Sequence, residues 1–237
     1  MELSFTNKHI IITGGTGGLG QAVVGKLLEA GASCSIPCFN KSELEDFEYQ
    51  GHKNLYVQVG IDLTDEEATE DFYAKAIEQN GTLWGSVHVA GGFGMGDIDD
   101  ISKDDFMKQI NMNLVTCFNS CKTAAGHMHN GGGRIVNIAS RPGLEPRQGA
   151  GMIPYTVSKA GVAALTESLA AELVDDDILV NAVAPSTIDT PANRDSMPDA
   201  DFDKWPKPEE IANQILYLLS EQNTITRGGI VPVYGKV

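Results

Sequence analysis

The feature that most constrains this chain is the alternation of apolar strand-like runs with amphipathic helical stretches, whose first joint is a cluster of glycines. Residues 8–13 form an apolar run, and residues 19–30 place Leu19, Val23, Leu27 and Ala30 on one helical stripe. Further strands are expected at 33–39, 55–61, 82–90, 133–139, 178–183 and 229–233, with helices at 41–49, 65–79, 103–129, 155–174 and 208–220. Thr64 and Glu67 are spaced as a capping box before the helix at 65–79. Strands separated by helices imply parallel pairing, because each crossover needs on the order of a dozen residues. The expected fold class is therefore α/β: a doubly wound, parallel, seven-stranded sheet, Rossmann-like and in a single domain spanning 1–237.

Composition narrows the functions such a chain can serve. With 237 residues, 42% hydrophobic and 21% charged, it can bury one sizeable core and lacks the signature of disorder. A formal charge of −15 repels phosphate backbones and anionic surfaces, so neither nucleic acid nor membrane is an expected partner. No apolar span approaches bilayer length, the first residues lack a secretory pattern, and a cytoplasmic location is expected. Cys34, Cys38, Cys117 and Cys121 match neither a disulfide scaffold nor a metal site with nearby histidines, so reduced, packed thiols and no metal are expected. One stretch, 186–207, carries Pro191, Pro198 and Pro206 and is too long for an ordinary connection; it reads as a lid over a site.

Three groups of residues carry chemistry. The turn Thr13-Gly14-Gly15-Thr16-Gly17-Gly18-Leu19-Gly20 lies between a strand and a helix, where glycines let the backbone approach a pyrophosphate and the helix start favours its charge. Tyr155 and Lys159 stand four residues apart on one helix face. A phenol titrates at about pH 10, and a neighbouring ammonium favours its ionised form. Ser140 closes the strand at 133–139, at the sheet edge where doubly wound folds place their ligands, and can donate to an oxygen that Tyr155 protonates. The third group is Asn181-Ala182-Val183-Ala184-Pro185-Ser186-Thr187-Ile188-Asp189-Thr190, directly after the sixth strand.

Together these residues resemble the short-chain dehydrogenase/reductase family over nearly the whole chain. Gly14, Gly18 and Gly20 are spaced as in its T-G-x-x-x-G-x-G turn, Asp62-Leu63 resembles the pair that meets the adenine ring, and Ala90-Gly91 resembles the end of its N-N-A-G element. The resemblance implies Asn113, Ser140, Tyr155 and Lys159 as the catalytic set, Asn113 holding a water in a proton relay with the lysine. It further implies that Pro185, Ile188 and Thr190 hold the nicotinamide amide, and that Thr13, Leu19, Tyr155 and Lys159 also meet the cofactor. The expected cofactor is NAD(P)(H), the substrate a small carbonyl or alcohol, and the assembly a homotetramer or dimer with the helices from Lys103 and Tyr155 at one interface. A segment from Thr187 to Pro198 is also similar to quinonoid dihydropteridine reductase, although the presence of Ser140 favours ordinary carbonyl chemistry.

Three departures stand out. His88 and Val89 replace the asparagines usual before Ala90-Gly91, so the brace of the central strands must differ, and Ser186 replaces a glycine. At the end of the second strand, where an acid selects NAD and a base NADP, the run Pro37-Cys38-Phe39-Asn40-Lys41-Ser42 has no carboxylate. Asn40, Lys41 and Ser42 could receive a phosphate, which leans the reading to NADP(H), while Gly17 stands where NADP enzymes often carry a base. Two other readings remain: a 3-oxoacyl thioester reductase, and a dinucleotide-binding regulatory protein without turnover.

Overall fold

A computed structural model describes residues 3–129 and 131–237. Its first strand shows how the sequence writes the layers. In β1 (His9–Thr13) every residue is buried, and successive side chains point to opposite faces. Ile10 and Ile12 pack with one apolar cluster and Ile11 with another, so a continuous β-branched run is what a strand covered on both sides requires.

The strands β1, β2 (Ser33–Cys38), β3 (Leu55–Val59), β4 (Leu83–His88), β5 (Gly133–Ile138), β6 (Ile178–Pro185) and β7 (Ile230–Val233) pair in parallel in the order β3-β2-β1-β4-β5-β6-β7. The helices are α1 (Gly18–Glu29), α2 (Glu66–Asn80), α3 (Lys103–Ile110), α4 (Thr116–Met128), α5 (Arg141–Leu144), α6 (Ile153–Glu172), α7 (Pro191–Ser196) and α8 (Pro208–Leu219). On one face Val23 and Leu27 of α1 pack with Ile211 and Ile215 of α8. On the other, Phe72 of α2, Cys121 of α4 and Val162 of α6 share a core. The strand order reverses between β1 and β4, and that crevice at the carboxyl edge is where such folds bind ligands.

Four local expectations are corrected. The helix expected at 41–49 is only a 3-10 turn, Lys41–Leu44. Beyond it Phe47 is buried and Tyr49 drives its hydroxyl against Gly25 of α1, where a Cβ would lie 2.1 Å away; packing overrides helical periodicity. The cap of α2 is Asp65, whose carboxylate accepts from Ala68 N at 3.1 Å, because Thr64 instead donates to Asp62 Oδ1 from both its amide (2.9 Å) and its hydroxyl (2.7 Å). The helix expected over 103–129 contains a π turn, Asn111–Val115, between α3 and α4. Finally, the cysteine pair does have a histidine beside it. Ligand atoms of His88, Cys117 and Cys121 lie within 4.8 Å of one another, all buried.

That cluster explains how the central strands are braced without the usual asparagine. His88 Nδ1 lies 2.8 Å from Asn137 Oδ1 on β5, and its Nε2 lies 2.8 Å from Ser86 Oγ and 3.3 Å from the Tyr73 hydroxyl. Cys121 also donates to Asn137 Oδ1 at 3.4 Å, and Asn137 Nδ2 donates to Thr166 at 2.9 Å. A histidine protonated on Nδ1 satisfies its contacts to Asn137, Ser86 and Tyr73, and with Cys121 and Thr166 these form a polar network linking β4, β5, α2, α4 and α6.

Candidate active site

The glycine loop folds back on the sheet edge. Gly14 adopts φ +65°, and a Cβ there would lie 2.7 Å from Ala90 N; at Gly20 it would lie 2.0 Å from Gly14 O. Only glycine lets the loop, β4 and the start of α1 approach this closely. Thr13 strengthens the joint by accepting from Ala90 N at 3.2 Å. The N-terminus of α1 has no side-chain cap at Gly17 and no acidic residue in its first turn, so its amides are left to an anion. Leu19 gives its side chain to the core. This loop fits the pyrophosphate of a dinucleotide.

Beside it is a cavity of about 770 Å³ lined by Gly14, Phe39, Asp62, Leu63, Ala90 and Gly91 among others. Asn119, which sequence reasoning missed, donates to Leu63 O at 3.0 Å and so fixes the wall beyond β3. Glu43 also lines this cavity, whereas Asn40 and Lys41 are exposed and do not. Its signal was present in the sequence as the capping pattern Asn40-x-x-Glu43.

Ser140 caps α5 and accepts from Gly143 N at 3.2 Å, which leaves its own proton to donate. Gly143 is close enough to α6 that a Cβ would meet Lys159 C at 2.8 Å, and this contact sets Ser140 against the start of that helix. Tyr155 lies in the first turn of α6, half-buried, with Phe93 edge-on at 5.0 Å between ring centroids. Burial pushes its phenol above the ordinary value, and a hydrogen bond with Ser140 draws it partly back. One turn on, Lys159 is buried and donates to Ile138 O at 2.9 Å; desolvation pulls its ammonium down to about 8. The lysine gives one of its three N–H groups to the end of β5, and the phenol is a proton-bearing group at neutral pH.

Asn113 reaches the same place from the π turn. Its Oδ1 accepts from Gly92 N at 3.0 Å, and its Nδ2 donates to Gly92 O, Gln109 O and Gln109 Oε1 at 3.0–3.2 Å. The side chain is thus fully used as a clamp on the loop after β4. A Cβ at Gly91 would lie 2.5 Å from Asn113 Oδ1 and 3.5 Å from Lys159 Nζ, which places all three within one small volume.

After β6, Thr190 caps α7 by accepting from Asn193 N at 3.3 Å, and Ile188 O accepts from Asn193 Nδ2 at 2.8 Å. A Cβ at Gly18 would meet Thr190 Cγ2 at 3.0 Å, so Thr190 packs against the glycine loop. Asp189 N donates to Pro206 O at 3.0 Å, closing the segment on itself, and Ser186 Oγ ties it to the chain beyond β7 by donating to Tyr234 O at 2.8 Å. The structure thus brings Asn113, Ser140, Tyr155 and Lys159 to the carboxyl edge and leaves Asn40 and Lys41 outside.

A parallel sheet reversing at β1/β4, an uncapped glycine-rich helix start and a Ser-Tyr-Lys group beside it define a nicotinamide-dependent oxidoreductase. The sequence matches the short chain dehydrogenase family over residues 8–201, and the chain belongs to that family. It is 32% identical over 247 residues to (2S)-[(R)-hydroxy(phenyl)methyl]succinyl-CoA dehydrogenase subunit BbsD of Thauera aromatica, covering 98% of this chain and 97% of that one. It is likewise 32% identical over 251 residues to 3alpha-hydroxysteroid dehydrogenase of Mediterraneibacter gnavus, with 99% and 98% covered. Among solved structures, a short-chain type dehydrogenase/reductase from Mycobacterium ulcerans superposes with a TM-score of 0.90 at 27% identity, covering 99% of this chain and 90% of that one. The protein is accordingly an NAD(P)-dependent oxidoreductase of the short-chain dehydrogenase/reductase family. No helix among the described residues is long and apolar enough to cross a membrane.

Proposed function

We propose that this enzyme interconverts a small, uncharged carbonyl compound and its alcohol, with Tyr155 as the group that carries the proton. A bound nicotinamide dinucleotide supplies or accepts the hydride. In the reducing direction the Tyr155 phenol gives its proton to the carbonyl oxygen, and the Ser140 hydroxyl donates a hydrogen bond to that same oxygen as negative charge develops. Lys159, below its pKa, holds a positive charge behind the phenol and steadies the phenolate that is left. Because the side chain of Asn113 is occupied, holding a water for the lysine falls to its main-chain carbonyl in the π turn. Thr190, Ile188 and Pro185 close the nicotinamide end, with 186–207 serving as the lid.

The observation that carries this reading is that Ser140, Tyr155 and the buried Lys159 share one place: Gly143, which donates to Ser140 Oγ, packs against Lys159, and Lys159 stands one turn along α6 from Tyr155. Two nearby cations are already paired, which supports an uncharged substrate. Arg141 is paired with Glu145 at 3.0 Å and lies over Tyr234, and Arg194 forms two hydrogen bonds to Asp189, so neither cation is left to grip an anion. Phe93 and Met95, both exposed, supply an apolar rim beside the phenol. A 3-oxoacyl reductase acting on a carrier protein would need a basic mouth and ranks lower. Exposed Phe118 on α4 and Val157 on α6 offer the apolar contacts of a homotetramer or dimer, and the cytoplasm is the proposed location.

The test is oxidation of reduced cofactor, followed by absorbance, against neutral and carboxylated ketones of matched size. Turnover should favour the neutral ketones and fall as pH rises past about 8, where the Lys159 ammonium is lost. Cofactor binding without turnover on any carbonyl would favour the regulatory reading instead.

A further inference from the structure

We infer that Glu43 decides which nicotinamide dinucleotide this enzyme takes, and that it selects NAD(H). The inference rests on the reading that the glycine loop and the adjoining cavity hold the cofactor. At the end of β2 the strand offers no selecting group: Cys38 is buried and Phe39 is an exposed apolar ring. The chain then turns at Asn40, and the 3-10 turn carries Glu43 back toward the strand end. Glu43 Oε1 accepts from Asn40 N at 2.8 Å, and its Oε2 accepts from the Thr16 hydroxyl at 3.2 Å. One carboxylate thereby ties the glycine loop to the segment after β2.

Its charge is felt at the strand end. The Cys38 thiol is pushed up first by burial and then by the neighbouring Glu43 carboxylate. Glu43 lines the cavity together with Gly14, Phe39 and Asp62. No lysine or arginine among the described residues forms an ion pair with it. Lys41, which the sequence offered to a phosphate, is exposed and outside the cavity, and Gly17 has no side chain to offer.

The chemistry follows from charge. A ribose hydroxyl can donate to a fixed carboxylate, so Glu43 rewards NAD(H). A phosphate monoester in that position carries about −1.5 to −2 charge near neutral pH and meets an uncompensated anion in a partly desolvated pocket. The leaning to NADP(H) drawn from residues 37–42 stopped one residue short of the group that reverses it.

The experiment is direct titration of the whole enzyme with NADH and with NADPH, wild type beside Glu43→Gln, read by nicotinamide fluorescence. Glutamine can keep the contact to Asn40 N while removing the charge. Wild type should bind NADH at least about tenfold more tightly than NADPH. Glu43→Gln should shrink that ratio at least about fivefold, mainly by tightening NADPH. Wild-type preference for NADPH, or an unchanged ratio in a variant that still binds NADH, would overturn the role of Glu43. If Glu43→Gln does not fold, Glu43→Ala, which also removes the charge, should shrink the ratio in the same direction, and an unchanged ratio there would overturn the role equally. Binding of neither dinucleotide would overturn the cofactor reading itself, and this inference with it.

Discussion

Tyr155→Phe should lower turnover by about a hundred- to ten-thousand-fold while leaving the cofactor dissociation constant within about twofold of wild type. The variant removes one oxygen and its proton. Phe93 still meets the ring edge-on, α6 keeps its buried contacts, and Lys159 keeps its hydrogen bond to Ile138 O. What disappears is the proposed proton donor, the Tyr155 hydroxyl. Steady-state kinetics with a neutral ketone, beside a fluorescence titration of the cofactor, separate the two effects. A variant retaining more than about a tenth of wild-type turnover would remove Tyr155 from the proposed chemistry.

Gly20→Ala should weaken cofactor binding by about a hundredfold or more and lower the melting temperature. The added methyl would lie 2.0 Å from Gly14 O and 2.8 Å from Gly15 Cα. Both are backbone atoms of the loop proposed to cradle the pyrophosphate, so no side chain can swing aside to relieve the clash. Either the start of α1 moves off the loop or the loop opens, and both outcomes misplace the amides that face the anion. The measurement is cofactor titration with thermal unfolding of the same samples. Unchanged affinity in a folded variant would show that the loop does not hold the dinucleotide.

The parts of the fold legible in the sequence were those dictated by local pattern. Ile10, Ile11 and Ile12 announce a strand buried on both faces, and the glycines between residues 14 and 20 announce a joint where backbone meets backbone. Tyr155 and Lys159 were legible for the same reason, since four residues along a helix fix a shared face. Features set by contacts between distant segments were not. Nothing in residues 103–129 marks the π turn, which is stabilised where Asn113 clamps Gly92 across the loop after β4.

His88 illustrates the same limit. It comes from β4 and meets Cys121 of α4 and Asn137 of β5 only because the sheet and helix layers pack, so spacing along the chain said nothing of their company. Glu43 is the intermediate case. Its pattern with Asn40 was local and readable, but helical periodicity over 41–49 hid it, and only the packing of Phe47 and Tyr49 shows why that helix stops. The bond from Lys159 to Ile138 O was not legible either, because it joins α6 to the end of β5 across 21 residues.

The most direct test of the account follows deuterium from reduced cofactor labelled at its transferable position into a neutral ketone. Label should appear on the carbinol carbon of the product and a solvent proton on its oxygen. Label released to water, or product formed without it, would contradict the claim that this site protonates the oxygen of a carbonyl undergoing hydride reduction.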